Sequence, residues 1–218
     1  PDQSRVGDIA SVEHWYKDLN SFIKKVHKET GDAPIFLYGE SLGSLIIMHG
    51  NSYLDESIKE TIMGVIYASP LIALPGELPP VKNFIVRLAM FLFPKMKISI
   101  KSLASNQNAQ VTSETDHWEQ MAKTPHFVPK YTLRTLGSIE DLVYSSKEVA
   151  PRITKPTLIL YPGKDVFTRP DQVDKFFGNL KSKDKTKHLF KESHHLLAFD
   201  KEKERLFEIV EKWINKRL

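Results

Sequence analysis

The apolar positions of this chain follow two rhythms. Across residues 8–29, Val12, Trp15, Leu19, Phe22, Ile23 and Val26 recur at steps of three, four and one, the spacing that lines one face of a helix. Gly31 and Pro34 close that stretch. The run Ile35-Phe36-Leu37-Tyr38, bounded by Pro34 and Gly39, has the length and composition of a strand buried on both faces. A helix is expected from about Leu42, carrying Leu45, Ile46 and Met48, and a second buried strand over Ile62–Ala68, closed by Ser69-Pro70. Helix, strand, helix, strand is the order of a parallel sheet crossed by helices.

The rhythm then stops. Residues 71–150 show several prolines, helical patterns of uneven quality and no clean strand. It resumes with a strand at 157–161, a helix over 171–179, a short strand at 187–191 and a closing helix over 201–216. Leu206, Phe207, Val210, Trp213 and Ile214 share one face of that last helix. The pattern therefore divides into an α/β core, residues 1–70 and 151–218, interrupted by a helical insertion at 71–150.

Composition narrows the function classes. With 218 residues, 41% of them hydrophobic and 27% charged, the chain has the balance of an ordinary globular domain and enough length for a buried core. No apolar run reaches the roughly 18 residues of a membrane span. There is no cysteine, which excludes disulfides, thiolate metal sites and a cysteine nucleophile. A net charge of +4 and a pI near 9.1 are mild, with Lys and Glu interleaved through most helices. Without zinc-finger spacing, an RNP-like strand or a basic block, a nucleic-acid partner is not expected.

The strongest chemical signal is Gly39-Glu40-Ser41-Leu42-Gly43, a G-x-S-x-G between a buried strand and a helix. A serine on such a turn sits on strained backbone at the strand's carboxyl end, and side chains at either glycine are expected to collide as the helix returns past the strand. The backbone N–H of Leu42, at the helix start, then faces the oxygen that becomes negative during attack. Serine alone is a poor nucleophile, so a base and an acid must follow. With this elbow the chain order is serine, acid, histidine. Asp165, in Tyr161-Pro162-Gly163-Lys164-Asp165 directly after a strand, fits the acid, ahead of Asp171 and Asp174 in the next helix. For the base, His194 and His195 follow the last strand, and their adjacency leaves the choice open. His14, His27, His49, His117, His126 and His188 lie in helical, insertion or strand contexts suited to surface or core roles. Zinc binding by His194 and His195 fails on spacing, and no metal or organic cofactor is expected.

Taken together, these segments resemble the monoacylglycerol lipase and lysophospholipase family of α/β-hydrolases. The likeness is carried by the helix with Trp15 and Asp18, Phe-Leu-Tyr-Gly-Glu-Ser-Leu-Gly at 36–43, Ala68-Ser69-Pro70-Leu71, Pro156-Thr157-Leu158-Ile159, Gly163-Lys164-Asp165 and Ser193-x-His195-x-Leu197. It implies a mostly parallel sheet flanked by helices with a helical lid insertion, and a triad of Ser41, Asp165 and His195, since the family's S-x-H-x-L histidine falls on His195. Two residues depart from the family's usual pattern: Glu40 stands where histidine is common, and Ser44 where a second glycine is common. The family also carries a His-Gly motif after an early strand, supplying the other oxyanion donor, and several strands before the first helix. This chain has neither, so an N-terminal segment is expected in the natural protein. Losing one oxyanion donor costs about 3–4 kcal/mol of transition-state stabilisation.

By the same resemblance, residues 71–150 are the cap over the site. Within residues 81–93, positions 84–93 are apolar almost all round, with only Arg87 interrupting. Such a helix is either packed on the core or meets a nonaqueous phase. Phe84, Leu88, Phe91 and Leu92 are the candidate acyl contacts, and Lys82, Arg87, Lys95, Lys97 and Lys101 would suit anionic headgroups. The expected function is hydrolysis of a monoacylglycerol ester, a lipid with a single acyl chain, through an acyl-enzyme. A lysophospholipase or another carboxylesterase is the alternative, and a lipid-carrying pseudo-hydrolase comes after both. The expected location is cytoplasmic or peripheral on a membrane through the lid; the oligomeric state is not legible.

Overall fold

The computed structural model describes residues 5–74, 79–99, 110–114, 117–124 and 127–218, without the side chains of residues 117, 118 and 122. The elements are α1 (Glu13–Thr30), β1 (Ile35–Glu40), α2 (Leu42–Gly50), α3 (Glu56–Thr61) and β2 (Ile62–Ala68). Then come α4 (Pro80–Leu92), β3 (Lys97–Ser99), α5 (His117–Ala122), β4 (Lys130–Thr132) and α6 (Leu133–Val149). The chain closes with β5 (Thr157–Pro162), α7 (Pro170–Asn179), β6 (Lys185–Phe190) and α8 (Lys203–Asn215). Strands β1, β2, β5 and β6 form one sheet in that order, and each neighbouring pair is parallel.

Alternation along the strands builds the core in two layers. Val65, Tyr67, Ile159 and Tyr161 face one side, where Ile23 of α1, Met48 of α2, Ile58 of α3 and Phe176 of α7 cover them. Ile66, Ala68, Leu158, Leu160 and Phe190 face the other and pack on Leu206 and Trp213 of α8. Phe207, expected on the packed face of α8, is exposed instead. The register sets Glu40 beside Ala68 and Ala68 beside Leu160, so the loops after all four strands emerge along one rim. In a parallel sheet that carboxyl rim is where ligands and reactive groups gather.

Three further sequence expectations need correction, and one open alternative is narrowed. β1 is not buried on both faces: Ile35 is buried but Tyr38 is 43% exposed, because β1 is an edge of the described sheet. The first helix starts at Glu13 rather than residue 8. Residues before it are held by long-range bonds: Asp8 accepts from Thr132 Oγ1 at 2.8 Å and Arg134 Nε at 2.6 Å, and Ile9 N–H donates to Thr135 Oγ1 at 2.9 Å. The 71–150 stretch does contain strands, β3 and β4 pairing antiparallel over three residues each, too short to show a period of two. Finally, α4 has no buried residue, so it is not a helix packed into the core. Among the described residues no helix is long and apolar enough to cross a membrane.

Candidate active site

Ser41 sits between β1 and α2 with φ 53° and ψ −117°, a left-handed backbone that a non-glycine residue adopts at a cost of about 1–3 kcal/mol. The turn is held from three sides. Ser41 N–H donates to Ala68 O at 3.0 Å, and the buried Ser44 hydroxyl reaches Gly39 O at 2.7 Å and Ala68 O at 3.3 Å. Ser44 thus replaces glycine with a side chain that ties the elbow to two strands. A Cβ on Gly39 would stand 2.6 Å from the Gly43 backbone, whereas one on Gly43 would meet nothing within 4 Å. The collision expected at both glycines exists only at Gly39.

The three residues singled out from sequence meet on the rim. His195 Nε2 lies 2.7 Å from Ser41 Oγ, and its Nδ1 lies 3.0 and 3.1 Å from the two Asp165 oxygens. Both His195 and Asp165 are almost fully enclosed. Asp165 also accepts the Phe167 N–H at 2.9 Å, and the Phe167 ring meets the imidazole edge-on at 4.6 Å between centroids. The neutral imidazole can therefore accept the serine proton on Nε2 while its other nitrogen donates to a buried carboxylate, the arrangement that makes a hydroxyl nucleophilic. Leu42 N–H opens α2, where the first amides of a helix have no carbonyl one turn back. His194 turns the other way, its Nδ1 3.0 Å from Asp200 Oδ2, so of the two histidines it is His195 that the structure brings to Ser41.

Glu40 is the unusual charge here. Burial pushes its carboxyl above the ordinary glutamate range, opposed by the His195 charge and by hydrogen bonds from the Leu197 and Ala198 backbone. Its Oε1 is buried without a hydrogen-bond partner. Asp200 behaves oppositely. Burial would raise it, but hydrogen bonds from Ser113, His194 and Lys201 hold it at about 2. The other acid candidates are engaged elsewhere, Asp171 with Arg169 at 3.0 Å and Asp174 with Lys187 at 2.5 Å.

Of the remaining histidines, His49 Nε2 sits 2.9 Å from Leu142 O, and burial lowers the pKa values of His49 and His188. His126, Lys101 and the His117 side chain lie outside the described residues.

Phe84, Leu88, Phe91 and Leu92 stand exposed on α4. The helix rests on α6 through Met90, whose Sδ lies close to Gly137, and through Arg87, 3.4 Å from Glu140 and 3.7 Å from Asp141. Arg87 is thus committed to these carboxylates rather than left for a headgroup. Sequence reading named Ser44 only as a departure from the family pattern and missed Phe167, Ser113 and Asp200. Phe167 stands two residues past Asp165 and bonds to it, while Asp200 and Ser113 join the site through their bonds to each other and to His194.

A parallel sheet with a strained serine elbow and a serine–histidine–aspartate constellation on its carboxyl rim defines an α/β-hydrolase. Residues 2–202 match the family described as serine aminopeptidase, S33, and the chain belongs to that family. It is 25% identical to the monoglyceride lipase of Rattus norvegicus over 193 residues, 87% of this chain and 60% of that protein. With phospholipase YtpA of Bacillus subtilis it shares 21% identity over 206 residues, 92% of this chain and 74% of the other. The crystal structure of Paleococcus ferrophilus monoacylglycerol lipase superposes with a TM-score of 0.77 at 24% identity, covering 96% of this chain and 77% of that one. The chain spans about 60% of the length of the rat and mouse monoglyceride lipases it matches.

Proposed function

We propose that this protein is a serine hydrolase that cleaves the ester bond of a monoacylglycerol, releasing fatty acid and glycerol. The observation that carries the reading is the 2.7 Å approach of His195 Nε2 to Ser41 Oγ, with Asp165 on the opposite ring nitrogen. His195 takes the proton as Ser41 attacks the ester carbonyl, and the tetrahedral oxygen is met by Leu42 N–H together with a second donor. His195 then protonates the departing glycerol oxygen, and the acyl group remains on Ser41. A water deprotonated by His195 attacks that acyl carbonyl, and collapse returns the hydroxyl to Ser41 and frees the acid. No metal or organic cofactor enters these steps.

The lipid preference is supported by α4, whose Phe84 and Phe91 are 67% and 80% exposed. A contiguous apolar helix face of this kind is costly in water and favourable at an acyl interface. We assign residues 71–150 to a lid, with Phe84, Leu88, Phe91 and Leu92 as acyl contacts and Lys82 and Lys95 within it for anionic headgroups. A location that is cytoplasmic or peripheral on a membrane remains the expectation, and the exposed helix favours the peripheral one. The similarity to a bacterial phospholipase and to lipases named for monoglycerides keeps lysophospholipid as the competing substrate.

A head-to-head turnover assay on the intact natural protein separates these substrates. The reading predicts kcat/KM for 1-monooleoylglycerol at least about tenfold above that for lysophosphatidylcholine or an aminoacyl anilide. A reversed order would move the assignment to the preferred class.

A further inference from the structure

The loop bearing His195 runs from the end of β6 at Phe190 to the start of α8 at Lys203. A general base must be held within about 0.5 Å of its productive position, yet this loop belongs to no sheet ladder. Its backbone is anchored on both sides of His195, from within the loop on one side and from a distant segment on the other. The N–H of His194 donates to Asp200 Oδ2 at 2.9 Å, and the N–H of Leu196 donates to Val111 O at 2.8 Å. Val111 comes from the long connection between β2 and β5, more than 80 residues away in the chain.

Two further residues of that connection grip the same loop. Thr112 Oγ1 donates to Phe199 O, and Ser113 donates to Asp200 twice, through its N–H at 3.2 Å and its hydroxyl at 2.6 Å. Asp200 completes its set with the Lys201 N–H at 2.7 Å and the His194 ring at 3.0 Å. Its side chain is fully enclosed, and a carboxylate that is both buried and multiply hydrogen-bonded is a rigid node.

We propose that Asp200 is a positioning residue for His195. Together with His194 and Ser113 it locks the base-bearing loop to residues 111–113, so the placement of the imidazole depends on the connection that also carries α4. The inference rests on the hydrolase reading for its kinetic readout, but its structural readout does not. A node of this kind acts on the reacting geometry without touching substrate, so its loss should appear in kcat rather than KM.

The test uses the intact natural protein with Asp200→Asn, Ser113→Ala and Ser113→Thr. On a short soluble ester, Asp200→Asn is expected to lower kcat about 30- to 100-fold while KM moves less than about threefold. Ser113→Ala should lose about fivefold, and Ser113→Thr should recover most of that loss. In parallel, proton NMR follows the ring proton between His195 Nδ1 and Asp165, which should shift upfield or broaden in Asp200→Asn and Ser113→Ala at temperatures where both remain folded. A shifted proton in a protein that turns over no ester would uphold the positioning role while removing the hydrolase reading. Unchanged kcat with an unmoved proton in folded variants would overturn the proposal. If Asp200→Asn does not fold, the Ser113 pair decides by the same two readouts.

Discussion

The hydroxyl of Ser44 donates to the carbonyl of Gly39 across 2.7 Å, bridging the start of α2 to the end of β1 on either side of Ser41. Ser44 is fully buried, so removing its oxygen strands a carbonyl in a site that water does not reach. Ser44→Ala should cost about 1–3 kcal/mol in urea unfolding, with the loss concentrated at the elbow. Hydrogen exchange of the Ser41 amide, which is bonded to Ala68 O, should quicken in the variant. An unchanged unfolding midpoint would show that the bridge contributes nothing.

Glu40 should oppose stability while supporting catalysis. Its carboxyl is raised by burial, so below the unfolded glutamate value near 4.5 both states are protonated and nothing is lost. As pH rises from there through the raised folded value, the unfolded state ionises first and stability falls. Glu40→Gln should therefore raise the melting temperature more at pH 8 than at pH 4. Where Glu40 is ionised, the same change removes a negative neighbour of His195 and should lower kcat/KM several-fold, by weakening the imidazolium formed during attack. A variant no more stable at pH 8 than at pH 4 would contradict this account.

Asp200 gives the opposite pH signature. Held at about 2 in the folded state against an ordinary 3.8, it contributes stability that is complete above pH 4 and lost as pH falls toward 2. The shift corresponds to about 2 kcal/mol. Acid titration of unfolding free energy should show wild type losing this amount between pH 4 and 2, and Asp200→Asn showing a shallower decline over the same window.

The exposed face of α4 predicts lipid attachment. Phe84→Ser with Phe91→Ser removes two large exposed apolar side chains, each worth about 1.5–3 kcal/mol when buried. Partition onto vesicles of phosphatidylcholine with phosphatidylserine, followed by co-sedimentation, should weaken at least about tenfold. Equal partition of variant and wild type would remove the lid from any membrane role.

What could be read from the chain follows from the range of each interaction. Strands β2 and β5 and the elbow were legible because their signals are local: an apolar run, a proline, a glycine pair around a serine. Ser41, Asp165 and His195 could be grouped from sequence because each follows a strand of one parallel sheet, β1, β5 and β6, and topology brings such loops to one rim. Orientation was not legible. Apart from the family's S-x-H-x-L pattern, which selects His195, nothing in His194-His195 reveals which ring faces Ser41, since that depends on Asp200 and Val111 gripping the neighbouring amides. The β3–β4 ribbon was missed because three residues are too few to display alternation. The exposure of α4 was left open because an apolar helix reads identically whether it meets a core or a lipid. The late start of α1 reflects Asp8 and Ile9 being drawn toward Arg134 and Thr135, contacts that span over a hundred residues.

The central claim is that Ser41 is activated by His195. The direct test is the rate at which a fluorophosphonate probe modifies the folded, intact protein, compared with Ser41→Ala, His195→Ala and His194→Ala. The account predicts one adduct, on Ser41, abolished in Ser41→Ala, slowed at least about a thousandfold in His195→Ala, and slowed far less in His194→Ala. No adduct on Ser41, or equal slowing in the two histidine variants, would contradict it.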